Sequence, residues 1–119
     1  MKILLDTHTL IWALEDSCKL GNFAKDLILD ERNEVYVSVI SIYEVSIKNK
    51  IGKFPFDGKQ IYEYARRAGF FFRDFGVEDA YLATKLKLKD KNYDNNDLFD
   101  RALVAQSKVS GMKLLTHDH

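Results

Sequence analysis

Five acids carry the chemistry this sequence could perform. Asp6 ends the apolar run Ile3-Leu4-Leu5, and Glu44 interrupts a largely apolar stretch from Val39 to Val45. Asp97 and Asp100 lie three residues apart, and Asp118 follows soon after Leu114-Leu115. Hard oxygen ligands, with no cysteine cluster and no metal-spaced histidine pair, select Mg2+ or Mn2+ over zinc. Carboxylates brought together repel one another unless a cation stands between them. A divalent ion held in this way can activate a water and clamp phosphate oxygens, and phosphodiester hydrolysis is the chemistry that needs both. Four of these acids also have a plainer role. Asp6 and Asp97 can cap helices, and Asp100 can complete a capping-box-like pairing. Glu44 can pair with Lys48 one turn on, for about 0.3–0.5 kcal/mol. Asp118 has no following helix to cap. Convergence would decide between the two roles, and convergence depends on the elements that carry the acids.

Lys2–Leu5 is short and apolar and reads as a fully buried strand, followed by a helical start over Thr9–Leu14. A helix over Asn22–Leu29 would turn Phe23 and Leu27 inward, with Leu20 beside them. Glu34–Ser38, β-branched and aromatic, predicts a strand. The next segment has a β-like composition, but Ile40, Tyr43, Ile47 and Ile51 recur at helical spacing. Ser38 or Ser41 can cap that helix, and Gly52 can end it. Phe54–Gly58 reads as a loop around the lone proline and an Asp-Gly pair. Lys59–Ala68 is helical and stops at Gly69, Phe70–Phe75 is a third strand, and Val77–Leu88 is a helix. Lys89–Asn96 is a polar exposed loop, Asp97–Val109 a helix stopped near Gly111, and Met112–Leu115 the last strand. Strands alternating with helices predict an α/β domain with a parallel sheet covered on both faces. Such sheets bind ligands beyond the carboxyl ends of their strands, which is where Asp6 and Asp118 fall.

At 119 residues the chain suits one domain, spanning 1–119. Eighteen basic and 18 acidic residues cancel, so attraction to nucleic acid would need a local patch. Cys18 is the only cysteine, which excludes an intrachain disulfide and a cysteine-based zinc site. No uncharged stretch is long enough to span a bilayer, and the first apolar run ends too early for a secretory leader. A soluble, cytoplasmic protein with no membrane partner is expected.

The stretches LLDTHTLIWAL, VYVSVISIYEVSIKNKIGK, DLFDRALVAQS and LLTHD, in that order, resemble the PIN-domain ribonucleases, specifically the VapC-type toxins of bacterial toxin–antitoxin pairs. The likeness covers nearly the whole chain, and four motifs in order are far more specific than any one. It implies a three-layer α/β/α sandwich with a small central parallel sheet. It implies RNA cleavage with Mg2+ or Mn2+, an antitoxin partner and a homodimer. Asp6, Glu44, Asp100 and Asp118 match the family's catalytic, metal-binding acids, and Asp97 matches an additional acid of one subgroup. Thr7 and Thr116 match small hydroxyl residues that orient carboxylates or water. The sequence departs from the pattern in three places. Leu98 replaces a proline between the two late acids, the loop KDKNYDNN is longer and lacks a histidine pair, and the C-terminal end at His119 is short for the family.

Arg101 and Lys48 are candidate contacts to RNA phosphate, although each follows an acid (Asp97 and Glu44) by four residues and can pair with it instead. Lys48, Lys50 and Lys53 form one basic stretch, and Lys85, Lys87, Lys89 and Lys91 another; either can track a phosphate backbone or remain a solvated face. His8 can contact metal or substrate but reads rather as structural, and Trp12, Tyr43, Tyr62 and Tyr64 can stack on bases but read rather as core or interface aromatics. The competing function is a non-catalytic PIN-like module that binds RNA or a partner. A phosphorylatable receiver-like domain would want an acid pair after the first strand, a lone Asp ending a middle strand and a Lys ending the last. Asp6-Thr7, Ser38 and Thr116 stand in those places.

Overall fold

A computed structural model of the chain describes residues 1–86 and 95–116, the first three of the second span by backbone alone. Among the described residues, four strands form one parallel sheet in the order β3-β2-β1-β4. They are β1 (Lys2–Leu5), β2 (Glu34–Ser38), β3 (Phe71–Arg73) and β4 (Lys113–Leu115). The helices are α1 (Thr7–Leu14), α2 (Asn22–Leu29), α3 (Val39–Lys50), α4 (Gly58–Arg67), α5 (Val77–Lys85) and α6 (Asn95–Ser110).

β1 is central because Ile3, Leu4 and Leu5 are apolar on both faces, and all three are fully buried. Burial of this kind contributes about 1.5–3 kcal/mol per large side chain. Ile3 and Leu5 join a cluster with Leu10, Ile11, Ala24, Val35, Val37, Val45, Ile61, Ala65 and Leu115. Leu4 points to the opposite face, as alternation along a strand requires. α6 buries Phe99, Ala102, Leu103 and Ala105 and packs on α5, α3 and β4. The α/β class and the parallel sheet expected from the alternation of elements are therefore present.

Several boundaries move for identifiable reasons. α1 starts at Thr7 because Asp6 caps it, accepting from the Thr9 amide at 2.8 Å. Gly58 lies inside α4, which Asp57 caps in a reciprocal box with Gln60 (2.9 Å each way). β3 is only three residues long, as suits an edge strand. α5 ends at Lys85 rather than Leu88. α6 begins at Asn95, so Asp97 is an interior helical residue and not its N-cap. Of the loop expected over 89–96, positions 89–94 lie outside the described residues.

Two packing expectations are reversed. Phe23 was expected to face inward, but it is exposed, and Ala24 takes the buried position on α2. On α3 the apolar repeat lies partly outside, with Tyr43 and Ile51 61% and 62% exposed, while Ser41, Glu44 and Val45 are buried.

Gly58 is where α4 crosses α3 closely. A Cβ there would collide with Ser46 Oγ and lie 2.9 Å from the Ile42 carbonyl oxygen. Gly58→Ala is expected to lower stability by about 1–3 kcal/mol, read from urea denaturation of the two proteins. An unchanged midpoint would show that the two helices part without cost.

Candidate active site

The carboxyl ends of β1 and β4 lie together, because the Asp6 amide donates to the Leu115 carbonyl at 3.1 Å. Thr116, half-buried, follows directly on that contact and so stands beside Asp6. Asp6 itself is 9% exposed. Its cap to Thr9 fixes one carboxylate oxygen and leaves the group rigidly mounted at the end of a fully buried strand. Capping and ligation are therefore not alternatives here, since a single carboxylate has acceptor capacity for both.

Glu44 arrives from α3. Ser38 starts that helix by accepting from the Ile40 amide at 3.0 Å, which puts Glu44 in its second turn. Its Oε1 accepts from Thr7 Oγ1 at 2.6 Å, and Thr7 Oγ1 also lies 3.0 Å from Ser41 Oγ. Thr7 has one hydroxyl proton, and the short charge-assisted bond to Glu44 takes it, so Ser41 donates to Thr7. Lys48 Nζ sits 2.8 Å from Glu44 Oε2. Both side chains are largely out of water, at 13% and 5% exposed, so Lys48 is directed at Glu44 and not at the surface. Asp6 and Glu44 are thus joined through Thr7, the residue that follows one and bonds the other.

Asp100 is exposed on α6. Its helix is held to α3 where Phe99 meets Tyr43 edge-on at 5.7 Å, so the turns bearing Asp100 and Glu44 are neighbours. A second tie was not foreseen from sequence. Gln106, fully buried, accepts from Ser38 Oγ and donates to the Asp74 carbonyl at 3.1 Å. It thereby pins α6 to the ends of β2 and β3. Only its place in the DRALVAQ stretch, with no apolar partner spacing of its own, hinted at such a role. Ser41 was also missed as a site residue, although it lies three residues before Glu44 and shares its helix face.

Arg101 is buried and lines a cavity of about 280 Å3 with Ala83, Thr84 and Leu98, between α5 and α6. His8 lies between the Trp12 and Phe54 rings at centroid distances of 5.8 and 6.4 Å. The Asp97 side chain and Asp118, with His117 and His119, lie outside the described residues, as do Lys87, Lys89 and Lys91. Among the described residues no group of three or more His, Cys, Asp or Glu side chains closes on one point. Two buried carboxylates with neighbouring hydroxyls still suit Mg2+ in kind. That ion is commonly held by one or two carboxylates and keeps several waters. No sulfur or imidazole donor joins them among the described residues to favour zinc.

The sequence matches the PIN domain family over residues 3–119. The chain belongs to the PIN-domain family. No curated protein matches it. Among solved structures, this PIN domain is similar to a chain of VapBC2 from Rickettsia felis bound to a DNA fragment from their promoter. The TM-score is 0.55 and identity 18%, with 98% of each chain covered. A chain of a toxin–antitoxin complex from Klebsiella pneumoniae gives a TM-score of 0.61 at 19% identity, covering 94% of this PIN domain and 82% of that chain. Both likenesses are likenesses of fold. Among the described residues, no helix of the PIN domain is long and apolar enough to cross a membrane.

Proposed function

We propose that this chain is a Mg2+- or Mn2+-dependent endoribonuclease of the VapC type, the toxin of a toxin–antitoxin pair, acting on cytoplasmic RNA as a single domain over 1–119. The observation that carries this reading is the buried pair Asp6 and Glu44, joined through Thr7 at the carboxyl edge of a PIN-domain sheet. A pair of carboxylates desolvated at that edge costs folding free energy, and a cation-binding role gives the cost a purpose. Asp6, Glu44 and Asp100 would hold the ion, with Asp97 and Asp118 completing the set. When bound, such an ion supplies an activated water and positive charge at the leaving oxygen. Thr7 orients Glu44, the Thr9 amide orients Asp6, and Thr116 stands where a hydroxyl can orient water or a carboxylate. Arg101 is the candidate contact to RNA phosphate.

The protein neighbours of the two similar structures support an antitoxin as partner, and a second copy of the chain is proposed as well. Exposed Tyr43, Ile51, Val77, Tyr81 and Leu98 supply apolar surface that a protein partner would cover. The test is incubation of the purified chain with structured RNAs in Mn2+ or Mg2+. Endonucleolytic cuts that vanish with a chelator are expected, and their absence with either metal would overturn the assignment. The second reading is the non-catalytic module that binds RNA or a partner. Tight RNA or partner binding without cleavage under Mn2+ would select it.

A further inference from the structure

We propose that Lys48 is a tethered counter-cation of the acidic site, which holds Glu44 Oε2 when no metal is bound and competes with a divalent ion for that oxygen. The inference rests on the metal-dependent reading above.

Glu44 has two oxygens, and each is engaged. Thr7 holds Oε1 at 2.6 Å, and Lys48 Nζ holds Oε2 at 2.8 Å. The Thr7 bond is short, buried and supported by Ser41, so it fixes the carboxylate's orientation. A cation that takes up Glu44 through the oxygen that Thr7 leaves must approach the one against which the ammonium already lies. An ammonium and a dication on one oxygen repel, so metal entry there requires Lys48 to move.

The surroundings give it somewhere to go. Lys48 Nζ lies 5.6 Å from the centroid of the Phe54 ring, within range of a cation–π contact. Phe54 is half-buried, and its ring is steadied by edge-on contact with His8. Displaced from Glu44, the ammonium retains the Phe54 face. Lys48 is thus a positioning residue with two seats, and α3 turns it inward with Ser41 and Glu44 while Tyr43 and Ile51 stay out. An ordinary i,i+4 surface pair would need none of this burial.

The consequence is a metal affinity set below what the acids alone would give. Removing the charge should tighten Mn2+ binding, by about tenfold if the effect matches that of one neighbouring charge on another ionic equilibrium. The full-length chain is compared as wild type, Lys48→Met, Lys48→Gln and Lys48→Arg. Free Mn2+ is counted by electron paramagnetic resonance, and Tm is measured with and without Mn2+. Both neutral variants should melt lower than wild type in chelator, bind Mn2+ about tenfold tighter and gain more in Tm from it. Lys48→Arg should stay near wild type on every measure. If Lys48→Met does not fold, Lys48→Gln, which keeps a neutral donor, carries the comparison. Failure of both to fold even in Mn2+ overturns the proposal, because metal should take over the role of the lost charge.

If wild type binds Mn2+ and the neutral variants bind it equally or more weakly, Lys48 is no competitor, and the metal-dependent function stands without it. If no protein in the set binds Mn2+, both fall. Unchanged Mn2+ affinity with weakened metal-free RNA binding would make Lys48 a phosphate contact and reject the competition.

Discussion

Asp6→Asn is expected to lower metal-dependent RNA cleavage by at least about 100-fold while leaving stability within about 0.5 kcal/mol of wild type. The two effects separate because Asp6 does two things. Its Oδ1 accepts the Thr9 amide at the start of α1, and asparagine caps a helix about as well as aspartate. The substitution therefore keeps the cap and the shape and removes the charge that a divalent ion would require. Loss of a group in an outer shell already costs about 10–100-fold in metal affinity or activity, and a direct ligand stands at or beyond the top of that range. Asp6→Ala is the control, since it removes cap and charge together and should cost a further ~1 kcal/mol in stability. Cleavage rates in Mn2+ and urea melts of the three proteins make the measurement. Full activity in Asp6→Asn would leave Asp6 as a helix cap alone.

Local pattern was enough for the frame of this fold. β1, β2 and α2 run over the residues that the apolar and β-branched runs mark, and the glycines expected to stop helices do so. Gly52, Gly69 and Gly111 each take a left-handed φ, at +80°, +85° and +72°. The orientation of α3 was not legible. Periodicity finds the apolar face of a helix and assigns it to the core. On α3 the buried face carries Ser41 and Glu44 beside Val45, with Lys48 half-buried next to them, and an apolar count cannot register a largely polar interior. The sequence could only assume that Asp6 and Glu44 converge; the structure shows Thr7, which follows Asp6, bonded to Glu44 across 37 positions. The Ser38–Gln106 bond spans 68 positions, and nothing in either local stretch announces it. Long-range polar contacts of this kind depend on the finished fold and leave no periodic trace. For Asp97 and Asp118, which the sequence marks as candidates, side-chain placement lies outside the described residues.

Glu44→Gln is expected to destabilise the metal-free chain by about 2–3 kcal/mol, although it removes one charge and no atoms of bulk. Thr7 keeps an acceptor in the new amide, so that bond is preserved and the loss falls on Lys48. Breaking a buried pair by removing one partner typically costs about 3–5 kcal/mol, and the 13% exposure of Lys48 places this case below that range. The i,i+4 spacing alone would have predicted a few tenths of a kcal/mol. The roughly tenfold difference between the two expectations is the energetic signature of the inward-turned face of α3. Lys48→Met alone should be destabilising for the reciprocal reason, since it leaves the Glu44 carboxylate buried without its counter-charge. The double variant, Glu44→Gln with Lys48→Met, should recover most of the loss, because a neutral amide beside a thioether leaves no unpaired charge. Urea denaturation of all four proteins in chelator yields the coupling energy, expected near ~2 kcal/mol. Additivity within about 0.5 kcal/mol would mean that the two charges are effectively solvated. Mn2+ then separates structural from functional charge. It should restore stability to Lys48→Met, whose acids are intact, and do little for Glu44→Gln, which has lost a ligand. A site whose charge pair can be exchanged for neutral groups without loss of stability is one in which that pair is kept for chemistry.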